Sequence, residues 1–298
     1  MTKVAWAPTH STLFFSVPKN YDKIEEKGSI GVGFNYDKGV KTRVELNKNG
    51  DNVFWNGDII DGVVSKTVLN KFREYNNQNG EVKVNIYHTS EVPIGYGLST
   101  SGAGAIGTIM ALDNYFKTNM SQVEQFEIAH FGDVVNKTGL GSVVGQITGG
   151  IEFRLTQGGP RLCKTSSIES DQEIILFLIN PIKTADILKS DMQIEQINRS
   201  GFDLLKKALT IKTSYEEKLI IMGKDFSVRS GLLSMKLNLI LKDLENIGEV
   251  NSTMSMIGET IVILPKNKKN VIDYATSNDI PFLVTKITNR LPHLMDIV

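Results

Sequence analysis

Between an apolar strand and an apolar helix, the stretch Pro93-Ile94-Gly95-Tyr96-Gly97-Leu98-Ser99-Thr100-Ser101-Gly102-Ala103-Gly104 interleaves glycines with hydroxyls. Val82, Val84 and Ile86 alternate upstream, and Ile106, Ile109, Met110 and Leu112 suit a buried helix downstream. Glycine lets backbone approach a ligand closely, and the free N–H groups of a helix start face that ligand with a favourable dipole. The chemistry this arrangement suits is the holding of an anion, a phosphate above all; taken alone, the same loop also reads as a strand-to-helix turn whose small residues serve tight packing. It is neither a Walker loop, since no Gly-Lys-Ser/Thr follows, nor a dinucleotide fingerprint.

Other chemistry-bearing residues are sparse. His130 lies three residues before Asp133, so a helix would put both on one side. Arg154 follows an apolar strand; an arbitrary arginine there reads as a surface salt bridge, and His10 and His130 read equally well as histidines satisfied by their own core. His88 and His293 have no companions and are assigned nothing. Four scattered histidines and one cysteine show no zinc-ligand spacing. No Gly-x-Ser-x-Gly elbow supports a serine hydrolase.

The elements that must position these groups are mixed. Strands are expected at Lys3 to Ala7, Gly31 to Asn35, Lys41 to Leu46, Val53 to Ile60 and Glu81 to His88, with Tyr36-Asp37-Lys38-Gly39 turning a hairpin. One helix, Ser65 to Tyr75, interrupts them. Helices follow the glycine loop at Ala103 to Phe116, Ser121 to Asn136 and Ser142 to Ile147, the second opened by Ser121 with Glu124 in the capping-box place. Ile151 to Leu155 is a strand. Past about Lys164 come a strand at Glu173 to Asn180, helices with a stripe at Leu232, Leu233, Met235, Leu237, Ile240, Leu241 and Leu244, and strands Thr260 to Leu264 and Phe282 to Thr288 flanking a helix near Lys269 to Ser277. Without strict βαβ repetition the fold class is α+β.

A chain of 298 residues suggests about two domains, and its formal charge of +0 removes any whole-chain electrostatic case for nucleic acid or an acidic membrane. A small-molecule partner is favoured. Cys163 is alone, which fits a reducing compartment; the N-terminus lacks a signal-peptide core and no apolar run reaches membrane-spanning length, so a cytoplasmic location is expected.

Four segments in this order resemble the GHMP kinase superfamily: Ala7-Pro8-Thr9-His10, the loop Pro93 to Gly104, Asp133 with Thr138-Gly139-Leu140-Gly141-Ser142 and Gly149-Gly150, and Ser252-Thr253-Met254-Ser255-Met256-Ile257-Gly258. Within it, Ala7 to Phe15, Gly28 to Phe34, Ala129 to Gly141 and Gly149 to Arg154 are similar to the archaeal pantoate kinases, His10 included. The resemblance implies a ribosomal-S5-like N-terminal domain, residues 1–163, that binds ATP, joined to a ferredoxin-like C-terminal domain, residues 164–298. ATP, Mg²⁺ and a small hydroxy acid, pantoate favoured, would meet between them; members of the superfamily are often homodimers, and the sequence itself does not fix the oligomeric state.

By that likeness, residues Pro93, Gly95 and Gly97 through Gly104 (Leu98, Ser99, Thr100, Ser101, Gly102 and Ala103 between) hold the nucleotide. Ser101 and Asp133 hold the metal. His10, Ser29, His130, Arg154 and Thr184 take the acid, Arg154 clamping its carboxylate. Two positions depart from the family: Asp133 stands where glutamate is usual, and Ser142 where mevalonate-type kinases and most pantoate kinases carry the catalytic aspartate. Ser101, Asp133 and Ser142 form the expected catalytic set. Homoserine kinase also lacks that aspartate, and a loose transition state needs little early deprotonation. The alternatives are another acceptor, mevalonate or a phosphomevalonate, and a degenerate GHMP-fold metabolite sensor.

Overall fold

Two long antiparallel strands, β1 (Val4–Ser16) and β2 (Ile30–Asn47), form the spine of a computed structural model that describes residues 3–18, 21–76, 82–182 and 191–296. At one end Ala5, Ala7, Val40 and Val44 pack under helices; at the other Leu13, Phe14, Phe15, Val32, Phe34 and Tyr36 join a second apolar core. The ribbon therefore ties both cores together.

Around it the first sheet runs in the order β12-β1-β2-β5-β3-β4, where β3 is Asn52–Trp55, β4 Asp58–Ile60, β5 Lys83–Ser90 and β12 His293–Met295. β6 (Ile151–Arg154) pairs with the first half of β2, and β7 (Thr165–Ile168) with β6. Helices α1 (Val63–Tyr75), α2 (Thr100–Phe116) and α3 (Gln122–Val135) cover this sheet, and the short α4 (Ser142–Thr148) leads into β6. α2 is apolar nearly all round because it is buried between sheet and helices. Ser121 caps α3 as expected, with Glu124 bonding back to the cap.

The second sheet has the order β11-β8-β10-β9, all antiparallel, from β8 (Glu173–Asn180), β9 (Ser252–Met254), β10 (Glu259–Ile263) and β11 (Phe282–Lys286). Helices α5 (Asp191–Ala208), α6 (Tyr215–Arg229) and α7 (Met235–Asn246) lie between β8 and β9, and α8 (Lys268–Ser277) between β10 and β11. That is a ferredoxin-like βαββαβ unit. Leu237, Ile240, Leu241 and Leu244 bury one face of α7, each contributing about 1.5–3 kcal/mol.

Three sequence expectations change. No hairpin forms at Tyr36 to Gly39; β2 runs through it, absorbing the irregularity as a register shift opposite Pro8 and Thr9. The single strand expected over Val53 to Ile60 is two, turned by Asn56-Gly57, both at positive φ. Met235 is 81% exposed, since it opens α7 beside its Ser234 cap and falls outside the stripe. Among the described residues no helix is long and apolar enough to cross a membrane.

Candidate active site

The glycine loop ends at Ser99, which sits in the left-handed region (φ 52°) and supplies no side-chain cap, so the first N–H groups of α2 are left facing outward from the helix start. The loop is braced from the distant C-terminal segment. Ser255 donates its hydroxyl to the Gly97 carbonyl at 2.7 Å and Thr260 donates to the Tyr96 carbonyl at 2.7 Å. Gly97 has φ +70°, and a Cβ there would lie 2.7 Å from Cα of Gly258. Two backbones touch at this point, which requires glycine on both sides.

Asp133, on α3, is 1% exposed and collects three hydroxyls. Ser101 donates to Oδ1 at 2.9 Å, Thr138 to the same oxygen at 2.5 Å, and Ser142 to Oδ2. Residues 97–104 and Asp133 thus stand on one side of the molecule, α2 against α3. A carboxylate with hydroxyls at a helix N-terminus is an all-oxygen donor set, the kind a hard divalent cation such as Mg²⁺ selects, and it adjoins amides that suit phosphate.

The Gly139-Leu140-Gly141 turn separates this cluster from a second one. A Cβ on Gly139 would strike Asp133 and Ser142, and one on Gly141 would strike Arg154 and Ser29. Arg154 is no surface residue: it is 1% exposed, donates from Nη1 to Ser29 Oγ at 3.0 Å and from Nη2 to Thr12 Oγ1 at 3.4 Å, and pairs through Nε with Glu152 at 3.2 Å.

The histidines are held in the core. His10 Nε2 meets Glu152 Oε1 at 2.9 Å and Nδ1 lies 3.4 Å from Ser99 Oγ; its main-chain N–H donates to the Leu98 carbonyl. Burial, the largest influence, holds its pKa below the ordinary value although Glu152 pulls the other way. His130 Nε2 meets the Lys27 carbonyl at 2.9 Å, two residues before Ser29, and burial lowers its pKa as well. Thr184 lies outside the described residues. Two residues without a sequence-level role emerge: Glu152, and Gln146, whose amide donates to the carbonyls of Pro8 and Ser99. Only their position within the matched Gly149 to Arg154 segment, for Glu152, was a signal.

Residues 63–150, which span α1 through α4, match the family described as GHMP kinases N terminal domain. A solved structure described as a phosphotransferase related to CoA biosynthesis pathway superposes with a TM-score of 0.85, at 24% identity and 99% coverage of both chains. The chain has the GHMP kinase fold, and residues 63–150 match that family's N-terminal domain. Among curated proteins it is similar over nearly its whole length to pantoate kinase from Methanocaldococcus jannaschii, 29% identical over 91% of this chain and 95% of the relative. The same holds for pantoate kinase from Thermococcus kodakarensis, 28% identical over 97% and 96%.

Proposed function

We propose that this chain is an ATP-dependent kinase that phosphorylates pantoate on its primary hydroxyl to give 4-phosphopantoate, a step of coenzyme A synthesis in the cytoplasm. The observation that carries the reading is the buried Arg154–Ser29 pair, separated from Asp133 and Ser142 only by the Gly139 to Gly141 turn. An acid held by its carboxylate on one side of that turn can reach, with a hydroxyl at its other end, the phosphate held on the far side. The near full-length likeness to two pantoate kinases supports this choice of acid.

In this reading the amides of the Gly97 to Gly104 loop that lie ahead of the helix ladder, which begins with Ala103 N–H on the Ser99 carbonyl, cradle the terminal phosphates of ATP, with residues 1–163 as the nucleotide-binding part and 164–298 as the partner domain. Asp133 and Ser101 would hold magnesium, which neutralises charge on the transferring phosphoryl group. Thr138 and Ser142 orient the Asp133 carboxylate by donating to it. Arg154 forks the acid's carboxylate, Ser29 takes a hydroxyl, and Thr184 completes the set. His130 acts through the Lys27 carbonyl, fixing the segment that carries Ser29. His10 braces Ser99 and Leu98 from beneath. Ser142 has no charged base to offer, so the acceptor proton leaves late, to phosphate or water, as a loose transition state permits. Positioning and electrostatics then supply the rate.

A coupled ADP-release assay over pantoate, mevalonate, phosphomevalonate, homoserine and shikimate tests this. Turnover with pantoate far above the others is expected. Turnover with another acid and none with pantoate would overturn the choice of acceptor, and no turnover with any would favour a degenerate sensor.

A further inference from the structure

Glu152 and Arg154 alternate onto one face of β6, opposite Gly33 and Gly31 of β2, and both side chains are sealed from water. The Glu152 carboxylate is divided. Oε1 meets His10 Nε2 at 2.9 Å, and Oε2 lies 3.2 Å from Arg154 Nε. Neither Oε2 nor Arg154 Nε makes a hydrogen bond among the described residues, so the burial of this carboxylate oxygen is compensated by the charge of the guanidinium beside it.

A guanidinium offers five N–H groups. With one proton of Nη1 on Ser29 and one of Nη2 on Thr12, the described residues leave one N–H on each terminal nitrogen, while Nε meets Glu152 as an ion pair without a hydrogen bond. Those two can engage both oxygens of a single carboxylate. Rotation of the fork would break the Glu152 contact, and the carboxylate cannot move without releasing His10, whose Nδ1 side reaches Ser99 at the start of the phosphate helix.

We propose that Glu152 is a positioning residue that holds Arg154 through an ion pair on its Nε side, so that the terminal nitrogens are presented to the acceptor's carboxylate, while His10 anchors the other oxygen of the Glu152 carboxylate. The inference rests on the acceptor assignment above for its ligand, but the lock on Arg154 does not. Two readouts keep them apart.

The first needs no substrate. In nitrogen-edited NMR of the full chain, the Arg154 Nε–H, assigned by its disappearance in Arg154→Met, should exchange slowly with solvent and should broaden or vanish in Glu152→Gln. A signal unchanged by Glu152→Gln overturns the lock. The second uses pantoate, or whichever acid of the panel is turned over. Glu152→Gln should raise KM for the acid at least tenfold while kcat and KM for ATP stay within about threefold, and Glu152→Asp should recover part of the loss. In the Arg154→Met background, where no guanidinium remains to be oriented, Glu152→Gln should change that KM less than twofold. An unchanged KM in the single variant, or an equal rise in both backgrounds, overturns the proposal. The double variant removes both buried charges together and so guards against a failure to fold.

Discussion

Ser142 donates its hydroxyl to Oδ2 of Asp133, nine residues earlier, across the Gly139 to Gly141 turn. Ser142 thus orients that carboxylate and adds no second one. A site with one buried carboxylate, three hydroxyls and a row of helix-start amides has little capacity for proton abstraction and much for holding charge in place.

Asp133 and Ser101 should therefore matter through kcat. Asp133→Ala and Ser101→Ala are each expected to lower kcat more than tenfold, about 1.4 kcal/mol or more of transition-state stabilisation. Steady-state kinetics at saturating substrates decide it, and near-native rates in both would remove these residues from the metal site.

Restoring the second carboxylate should expose the charge balance. Ser142→Asp would put two carboxylates within hydrogen-bond reach in a buried site, a repulsive pair that a divalent cation relieves. In chelator its melting temperature should fall below that of the native chain, and magnesium should raise it by more than it raises the native value. Equal shifts in both proteins would place the cation elsewhere.

Much of this architecture was readable in the sequence, and what escaped has a common cause. The Ser121 cap, the β8 strand and the apolar α2 follow from local pattern, because capping and periodicity involve residues a few positions apart. The hairpin expected at Tyr36 to Gly39 failed because turn chemistry is permissive: an Asp-Lys-Gly run can also pass through a strand when a long partner, here β1, pairs on both sides of it. The Asn56-Gly57 turn is equally local, but it is set within an apolar run, Val53 to Ile60, whose composition reads as one strand. The His10–Glu152–Arg154 chain joins residues 142 positions apart, so no spacing rule could reveal it. Nor could the sequence alone turn Arg154 from a surface ion pair into a sealed one.

Arg154 should govern the acid and leave the nucleotide alone. Arg154→Ala is expected to raise KM for the acid by tenfold or more with KM for ATP nearly unchanged. The reverse split would move this arginine to the nucleotide.

The Gly97–Gly258 contact should be intolerant of any side chain. Gly258→Ala would place a Cβ 2.5 Å from Cα of Gly97, forcing the loop away from the C-terminal segment that braces it through Ser255 and Thr260. Calorimetry of Mg·ATP binding should show at least tenfold weaker affinity, and native affinity would mean the loop does not depend on this brace.

Acid should destabilise the fold through His88. Its ring is sealed between Thr42 and Ser65, each at 2.9 Å, and burial pushes its pKa down to about 4 from an ordinary 6.5. Between those values the unfolded chain binds a proton that the folded chain refuses, so stability is lost as pH falls from 6.5 to 4 and levels off below, on the order of 3 kcal/mol in all. The lowered pKa values of His10 and His130 act in the same direction. Urea unfolding at pH 7 and pH 4.5 should show the drop, and His88→Gln should reduce it; an equal drop in the variant would assign the effect to other groups.

The most direct measurement is the product itself. The purified chain, given ATP, magnesium and pantoate, should yield ADP and a phosphate ester on the primary hydroxyl of pantoate in equal amounts by phosphorus NMR and mass spectrometry. ADP formed without that ester, or no ADP at all while the acid remains intact, would contradict the account.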